Sequence, residues 1–304
     1  MNANDWHGVM PAITTPFRPD LSVDTEFLTK HVTWLVDSGS RAIVTPGSLG
    51  EGATLEHPEK ITIWKTCVQA VGHRVPVIAA VSSLSTADAV RVAKDAQAAG
   101  CTGLMVLPPY VYKGDWRETR AHFTAILRAT NLSCMLYNNP IAYGTDITPP
   151  QIIELAADHP NLHAVKESSA DVRRLTWIRA LDPHSRLALF VGVDDLIVEG
   201  IAAGATGWIA GLVNALPVES IRLFDLAKQG NHAAAAALYA WFLPLLRMDT
   251  TYDFVQLIKL VQAEVGQVGS GGPVTRPPRL LPEGSRLQSI QAEIRACLAT
   301  RPRA

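Results

Sequence analysis

Eight short apolar runs recur along the chain, at residues 8–14, 41–45, 75–81, 103–107, 133–137, 162–166, 187–191 and 206–209. Successive runs begin 19–34 residues apart. An interval of that size holds one strand, one helix and two loops, the repeat expected of a parallel sheet covered by helices. Helical signals fill the intervals. Phe27, Leu28, Val32 and Leu35 follow helical spacing, and Pro58 can open a helix carrying Ile61, Trp64 and Val68. Thr86 is the expected N-cap of the next helix and Gly100 its stop. Pro149 and Pro150 can open another before Ile152, Ile153 and Leu155. Eight such units predict an α/β fold, a parallel (β/α)8 barrel ringed by helices. The doubly wound open sheet is the alternative, but it usually has fewer strands, and no G-x-G-x-x-G follows the first run. The barrel is assigned to residues 1–216, its final helix continuing to about 229, and residues 230–304 to a C-terminal helical extension. Helices are expected there at 232–247, 250–266 and 285–299, with a Pro/Gly-rich loop over 269–284.

With 304 residues, 48% of them hydrophobic, the chain can bury a full core. Its net charge of −1 supplies no field for nucleic acid or an anionic membrane. The first ten residues lack the basic and apolar segments of a secretory signal. The longest apolar stretch, 233–246, is broken by Pro244, is too short to span a bilayer, and is expected to be a buried helix. Cys67, Cys101, Cys134 and Cys297 form no C-x-x-C pair, so neither a disulfide framework nor a structural metal is expected, and a reducing cytoplasm is. The nine histidines make no H-x-x-x-H pair, and His122, His159 and His163 are expected at the surface or at helix ends. There is no G-x-S-x-G elbow and no P-loop.

In a barrel of this kind the chemistry sits where strands exit at their carboxyl ends. Lys166 closes the sixth run after Leu162, Ala164 and Val165. An amine rising from an apolar barrel loses hydration, which favours its neutral form, and a neutral amine can attack a carbonyl to form an iminium. Taken alone, Lys166 fits an ordinary lysine paired with Glu167 or another acid as well. Tyr137 closes the neighbouring run, where a phenol can carry protons to and from a bound carbonyl compound. The loop Gly47-Ser48-Leu49-Gly50-Glu51-Gly52 leaves the Ser48 and Leu49 amides free to hold an anion such as a carboxylate, with the Ser48 hydroxyl beside them. Asp194 and Asp195 either line the pocket or cap a helix, and they lack the spaced partners a metal site requires.

These residues together resemble the dihydrodipicolinate synthase/N-acetylneuraminate lyase family of class I aldolases. The similarity runs from about Gly8 to the final helix. It is carried by Gly8-Val9-Met10-Pro11-Ala12-Ile13-Thr14-Thr15-Pro16-Phe17, Gly47-Ser48-Leu49-Gly50-Glu51, Tyr137-Asn138-Asn139-Pro140 and Val165-Lys166-Glu167, in that order. The resemblance implies a TIM barrel with a C-terminal helical extension. It also implies a Schiff base between Lys166 and a 2-oxo acid, usually pyruvate, with proton transfer by Tyr137. The carboxylate would lie on the Ser48–Leu49 amides beside Gly47. Ile209 would turn its backbone to the centre, and the assembly would be a homotetramer or homodimer. Three departures stand out. Leu49 replaces the second threonine of the synthases' Thr-Thr pair. Tyr110-Val111 replaces their two consecutive tyrosines, the second of which reaches a neighbouring subunit's site; Tyr112 is the adjacent candidate for that place. Ala142 stands where the synthases carry the arginine that binds the aldehyde's carboxylate. Losing that bidentate partner argues against aspartate semialdehyde as the second substrate.

The expected function is therefore a Schiff-base-forming lyase of a 2-oxo acid that releases or uses pyruvate. The covalent imine serves as its electron sink, and neither metal nor organic cofactor is needed. A 2-keto-3-deoxy sugar acid dehydratase or a deaminase would share the same iminium. A 4-hydroxy-tetrahydrodipicolinate synthase is disfavoured by Ala142, and a non-catalytic oxo-acid-binding protein is the reading from another class. Tyr110, Tyr143, Asp194 and Asp195 are the candidate contacts to the distal part of a substrate.

Overall fold

The structure, a computed structural model, describes residues 1–302. Eight strands make one sheet: β1 Gly8–Pro11, β2 Ile43–Thr45, β3 Val77–Val81, β4 Gly103–Val106, β5 Ser133–Asn138, β6 Leu162–Glu167, β7 Ala188–Val191 and β8 Gly207–Ala210. Their order is β1-β8-β7-β6-β5-β4-β3-β2, with every ladder parallel. β1 and β2 close the ring through a parallel bridge between Ala12 and Val44, where the Ile13 amide donates to the Val44 carbonyl at 3.0 Å. Each predicted run thus supplies one stave of a barrel, and the open sheet is not formed. The third strand starts at Val77 rather than residue 75, and Pro76 just before it has no N–H to give a ladder.

Helices follow the strands on the outside: Thr25–Asp37, His57–Val71, Thr86–Ala98, Trp116–Leu127, Pro149–Asp158, Arg173–Leu181, Ile197–Ala202 and Pro217–Lys228. Each buries one stripe; Thr25–Asp37 turns Leu28, His31, Val32, Leu35 and Val36 inward. The expected cap at Thr86 is displaced by one residue. Ser85 accepts the Asp88 amide, which leaves the Thr86 hydroxyl to meet His122 Nδ1 at 2.9 Å. That contact explains why His122 is buried rather than at the surface. His159 is buried too, at the end of Pro149–Asp158, with Nε2 3.0 Å from the Thr124 hydroxyl.

The C-terminal extension contains His232–Leu246, Phe254–Glu264 and Gly284–Ala299. A 3-10 turn over Arg247–Thr250 delays the second of these. The helix His232–Leu246 is not buried on all sides, contrary to expectation. Ala235, Leu238, Phe242, Leu245 and Leu246 face inward, while Ala236, Ala237, Ala240 and Pro244 are exposed. Alanine raises hydrophobicity in the sequence without much side chain to shelter. Among the described residues no helix is long and apolar enough to cross a membrane.

Alternation along the strands creates two cores. One lies between the sheet and the outer helices. The other fills the barrel with Met10, Val44, Ile78, Met105, Met135, Ala164, Phe190 and Ile209. Trp6, just before β1, seals the amino end: its ring meets Phe190 edge-on at 6.0 Å, and Nε1 donates to the Ser133 hydroxyl at 2.7 Å. A site can therefore open only at the carboxyl end.

Candidate active site

Lys166 lies on β6 in the inward phase set by Ala164, and its side chain tops the inner core. Its neighbour Glu167 must point outward. There Glu167 accepts from Arg174 Nε at 3.1 Å, from Asn138 Nδ2, and from the Ser169 amide at 2.8 Å. Pairing of Lys166 with Glu167 is thus ruled out by strand geometry. Among the described residues no carboxylate lies within 4.0 Å of Lys166 Nζ. Burial holds its pKa below the ordinary lysine value, while the charges of Asp249 and Asp194 and the Tyr143 phenol pull it back up. Gly192, just past β7, makes room for the lysine stem: a Cβ there would stand 2.5 Å from Lys166 Cε and 2.0 Å from Ser168 Oγ.

Tyr137 is the register partner of Lys166 across β5 and β6. Lys166 Nζ sits 4.0 Å from the centre of its ring. Burial raises the phenol's pKa, and Asn139, whose Nδ2 donates to the hydroxyl at 3.0 Å, lowers it again. The buried Ser168 hydroxyl also lowers it but makes no hydrogen bond of good geometry. Asn139 works from its other side as well, where Oδ1 accepts the Ala142 amide at 3.0 Å and caps the short helix Pro140–Tyr143. That helix delivers Tyr143 to the mouth, where its ring stands edge-on to Tyr137 at 5.9 Å and 5.6 Å from Tyr110. The Tyr143 hydroxyl makes a short contact with Ser48 Oγ.

The loop after β2 brings Gly47, Ser48 and Leu49 to the same mouth. Among the described residues no protein acceptor takes the Ser48 or Leu49 amide. The Leu49 side chain is buried in the outer core, so its bulk turns away from the barrel interior. Glu51 holds the loop's far side in a left-handed conformation, φ 55°. Its carboxylate is fully buried, meets Lys259 Nζ at 2.6 Å and accepts the Arg276 amide at 2.9 Å. Lys259 also donates to the Thr15 and Val274 carbonyls. The C-terminal extension thus anchors the loop, a link between distant segments that no local pattern announces.

Ile209 on β8 is buried in the inner core. Asp194 is not a distal contact: it is fully buried, and its carboxylate accepts the Leu212 amide at 2.7 Å, the Gly211 amide at 3.1 Å and Trp208 Nε1 at 2.9 Å. Burial raises its pKa to about 6 against the pull of those donors and of Lys166. It shapes the exit of β8. Asp195 turns toward Arg247 Nε, 3.6 Å away. Tyr112 is exposed and donates to Glu118 Oε1 at 3.0 Å, away from its own chain's site. Asp249, in the 3-10 turn of the extension, was missed: a Cβ on Gly211 would be 2.1 Å from its Oδ1, and burial with the Asp194 charge pushes its pKa well up. Among the described residues no group of three or more His, Cys, Asp or Glu could hold a metal ion.

The family model described as the dihydrodipicolinate synthetase family matches residues 5–296. A 4-hydroxy-tetrahydrodipicolinate synthase from Desulforamulus reducens is 32% identical over 81% of this chain and 83% of its own length. One from Mycolicibacterium paratuberculosis is 32% identical over 96% of this chain and 95% of its own. The chloride-inhibited dihydrodipicolinate synthase of Acinetobacter baumannii, solved with pyruvate, superposes with a TM-score of 0.88 at 25% identity, covering 96% of this chain and 99% of that one.

Proposed function

The chain belongs to the dihydrodipicolinate synthetase family, whose members are Schiff-base-forming, pyruvate-dependent lyases, and we propose that Lys166 is the residue on which its imine forms. The observation that carries this is a buried amine with, among the described residues, no carboxylate within 4.0 Å, 4.0 Å above the ring of Tyr137 and held out of water by the barrel. Lys166 Nζ attacks C2 of a 2-oxo acid and water leaves. The substrate carboxylate rests on the Ser48 and Leu49 amides beside Gly47. The iminium draws electrons from C3, so the C3–C4 bond can break once the C4 hydroxyl loses its proton, with Tyr137 carrying that proton. Protonation of the enamine and hydrolysis of the imine release pyruvate. Loss of the C4 hydroxyl in place of C–C cleavage would make the enzyme a dehydratase, and pyruvate among the products separates the two.

A synthase reading has one observation beyond the relatives' names. Lys113 Nζ would lie 2.8 Å from a Cβ on Gly144, which brings a cation near the arginine-less Ala142. A single ammonium does not reproduce a bidentate guanidinium, so the lyase reading is preferred. Self-association is supported by Leu84, Val111 and Tyr112, large apolar residues exposed on the loops after β3 and β4, and by Ile141, exposed on the short helix after β5. All four cysteines are free thiols, three of them buried, in keeping with work in a reducing cytoplasm.

Borohydride reduction with pyruvate, followed by peptide mass spectrometry, tests the assignment. The adduct is expected on Lys166 and absent from folded Lys166→Ala. Failure of pyruvate and of longer 2-oxo acids to label folded protein would leave an oxo-acid-binding protein as the better account.

A further inference from the structure

The hydroxyls around Lys166 are not isolated. Ser48 Oγ contacts the Tyr143 hydroxyl, and the Tyr143 ring stands edge-on to Tyr137, whose own ring lies under Lys166 Nζ. Ser48, Tyr137 and Tyr143 come from the exits of two strands of one chain, β2 and β5. Asn139 couples two of them by tethering the Tyr137 hydroxyl and capping the helix that presents Tyr143. Gly144, at φ 71°, ends that helix directly after Tyr143, and its amide donates to the Pro140 carbonyl at 2.9 Å. Tyr143 is therefore held from both ends of a single helical turn, with its hydroxyl on Ser48 and its ring beside Tyr137.

We propose that Tyr143 is the relay residue of this site, passing protons between Tyr137 and Ser48 so that one subunit supplies the whole path from the imine to water. The inference rests on Lys166 forming the imine. When the iminium becomes the enamine, the C3–H bond breaks. Its electron pair becomes the C2=C3 bond, and the C=N pair returns to nitrogen. Tyr137 oxygen takes the proton and releases its own to Tyr143, which releases one to Ser48, which releases one to solvent. Each oxygen gains one proton and loses one, so no phenolate accumulates. This suits the surroundings, because burial raises both phenols' pKa values and makes a lasting phenolate costly. Protonation of the enamine runs the same path in reverse. Tyr143 acts through Tyr137, so its role is relay and positioning.

The experiment follows exchange of pyruvate methyl protons in D2O by NMR, alongside borohydride trapping on the full-length protein. Tyr143→Phe is expected to keep trapping within about threefold of wild type while exchange falls about 10²-fold, the lower end of the acid–base range. Ser48→Ala is expected to behave likewise and Ser48→Thr, which keeps the hydroxyl, to retain exchange. The double variant Tyr143→Phe/Ser48→Ala is expected to lose little more than either alone, as members of one path do. Tyr112→Phe is expected to match wild type. Wild-type exchange in Tyr143→Phe overturns the proposal, and so does loss of exchange in Tyr112→Phe, which would put a neighbouring copy's tyrosine in the path. Loss of trapping as well as exchange in both Tyr143→Phe and Ser48→Ala also overturns it, since the pocket rather than the relay would then have failed. Absence of any wild-type adduct defeats the lysine assignment itself, and this inference with it.

Discussion

A single step along β6 separates two charged residues with opposite fates. Lys166 points into the barrel and loses hydration, while Glu167 points out to Arg174, Asn138 and the Ser169 amide. Period-two alternation alone sends them apart. The room Lys166 needs comes from a residue with no chemistry of its own. Because a Cβ at Gly192 would meet both Lys166 Cε and Ser168 Oγ, Gly192→Ala is expected to cost about 1–3 kcal/mol through overpacking. It is also expected to slow adduct formation on the order of 10²-fold by displacing the amine. Denaturant melts and single-turnover trapping measure the two effects, and trapping at the wild-type rate would show that the lysine stem tolerates the methyl.

At the scale of elements, the loop after β2 depends on a helix more than 200 residues away in the chain. Glu51 is fully buried in a left-handed conformation, and Lys259 on Phe254–Glu264 supplies the matching charge. Lys259→Met keeps the volume but removes the ammonium paired with the buried carboxylate, leaving it the Arg276 amide as a hydrogen-bond donor and the Arg276 charge nearby. Breaking a buried pair in this way costs about 3–5 kcal/mol. The loop should loosen with it, so pyruvate should half-saturate trapping at a higher concentration. Chemical denaturation and a pyruvate titration check both effects; an unchanged denaturation midpoint would show that the pair contributes nothing net. The glycines and serine of this loop stand out in the sequence as the proposed anion cradle. Its support is not, because neither Glu51 nor Lys259 belongs to a local pattern that pairs them.

For the whole molecule, the junction of the first helix with the exit of β8 makes stability depend on pH. His31 is buried, with Nε2 3.0 Å from Asn214 Oδ1 and Nδ1 without a partner among the described residues, and Asn214 Nδ2 ties the Ala12 and Gly211 carbonyls. Burial lowers the His31 pKa from 6.5 to about 4. The unfolded chain therefore binds the proton first as pH falls. The stability from keeping His31 neutral is fully present above its unfolded value and is lost progressively down to about pH 4. Its share of the loss between about pH 7 and pH 5 is about 2 kcal/mol. His31→Gln keeps a neutral donor toward Asn214 and is expected to flatten that dependence by a similar amount in denaturant titrations at the two pH values. An identical slope in the variant would show that other groups carry it.

The eight βα units, and with them the barrel, are legible in the amino-acid order alone, because hydrophobic period and turn residues are local properties that each segment carries alone. The same order puts Lys166, Tyr137 and Ser48 at strand exits, since a strand's end can be read from where its apolar run stops. Which side chains meet is settled by the folded barrel. It withdrew Asp194 into a bed of amides and a tryptophan N–H, set Tyr112 against Glu118, and brought Tyr143 onto Ser48. It also lowered Asp249 from the extension over Gly211. The reason is physical: barrel closure joins residues far apart in the chain, and their contacts depend on register and packing that no local pattern encodes.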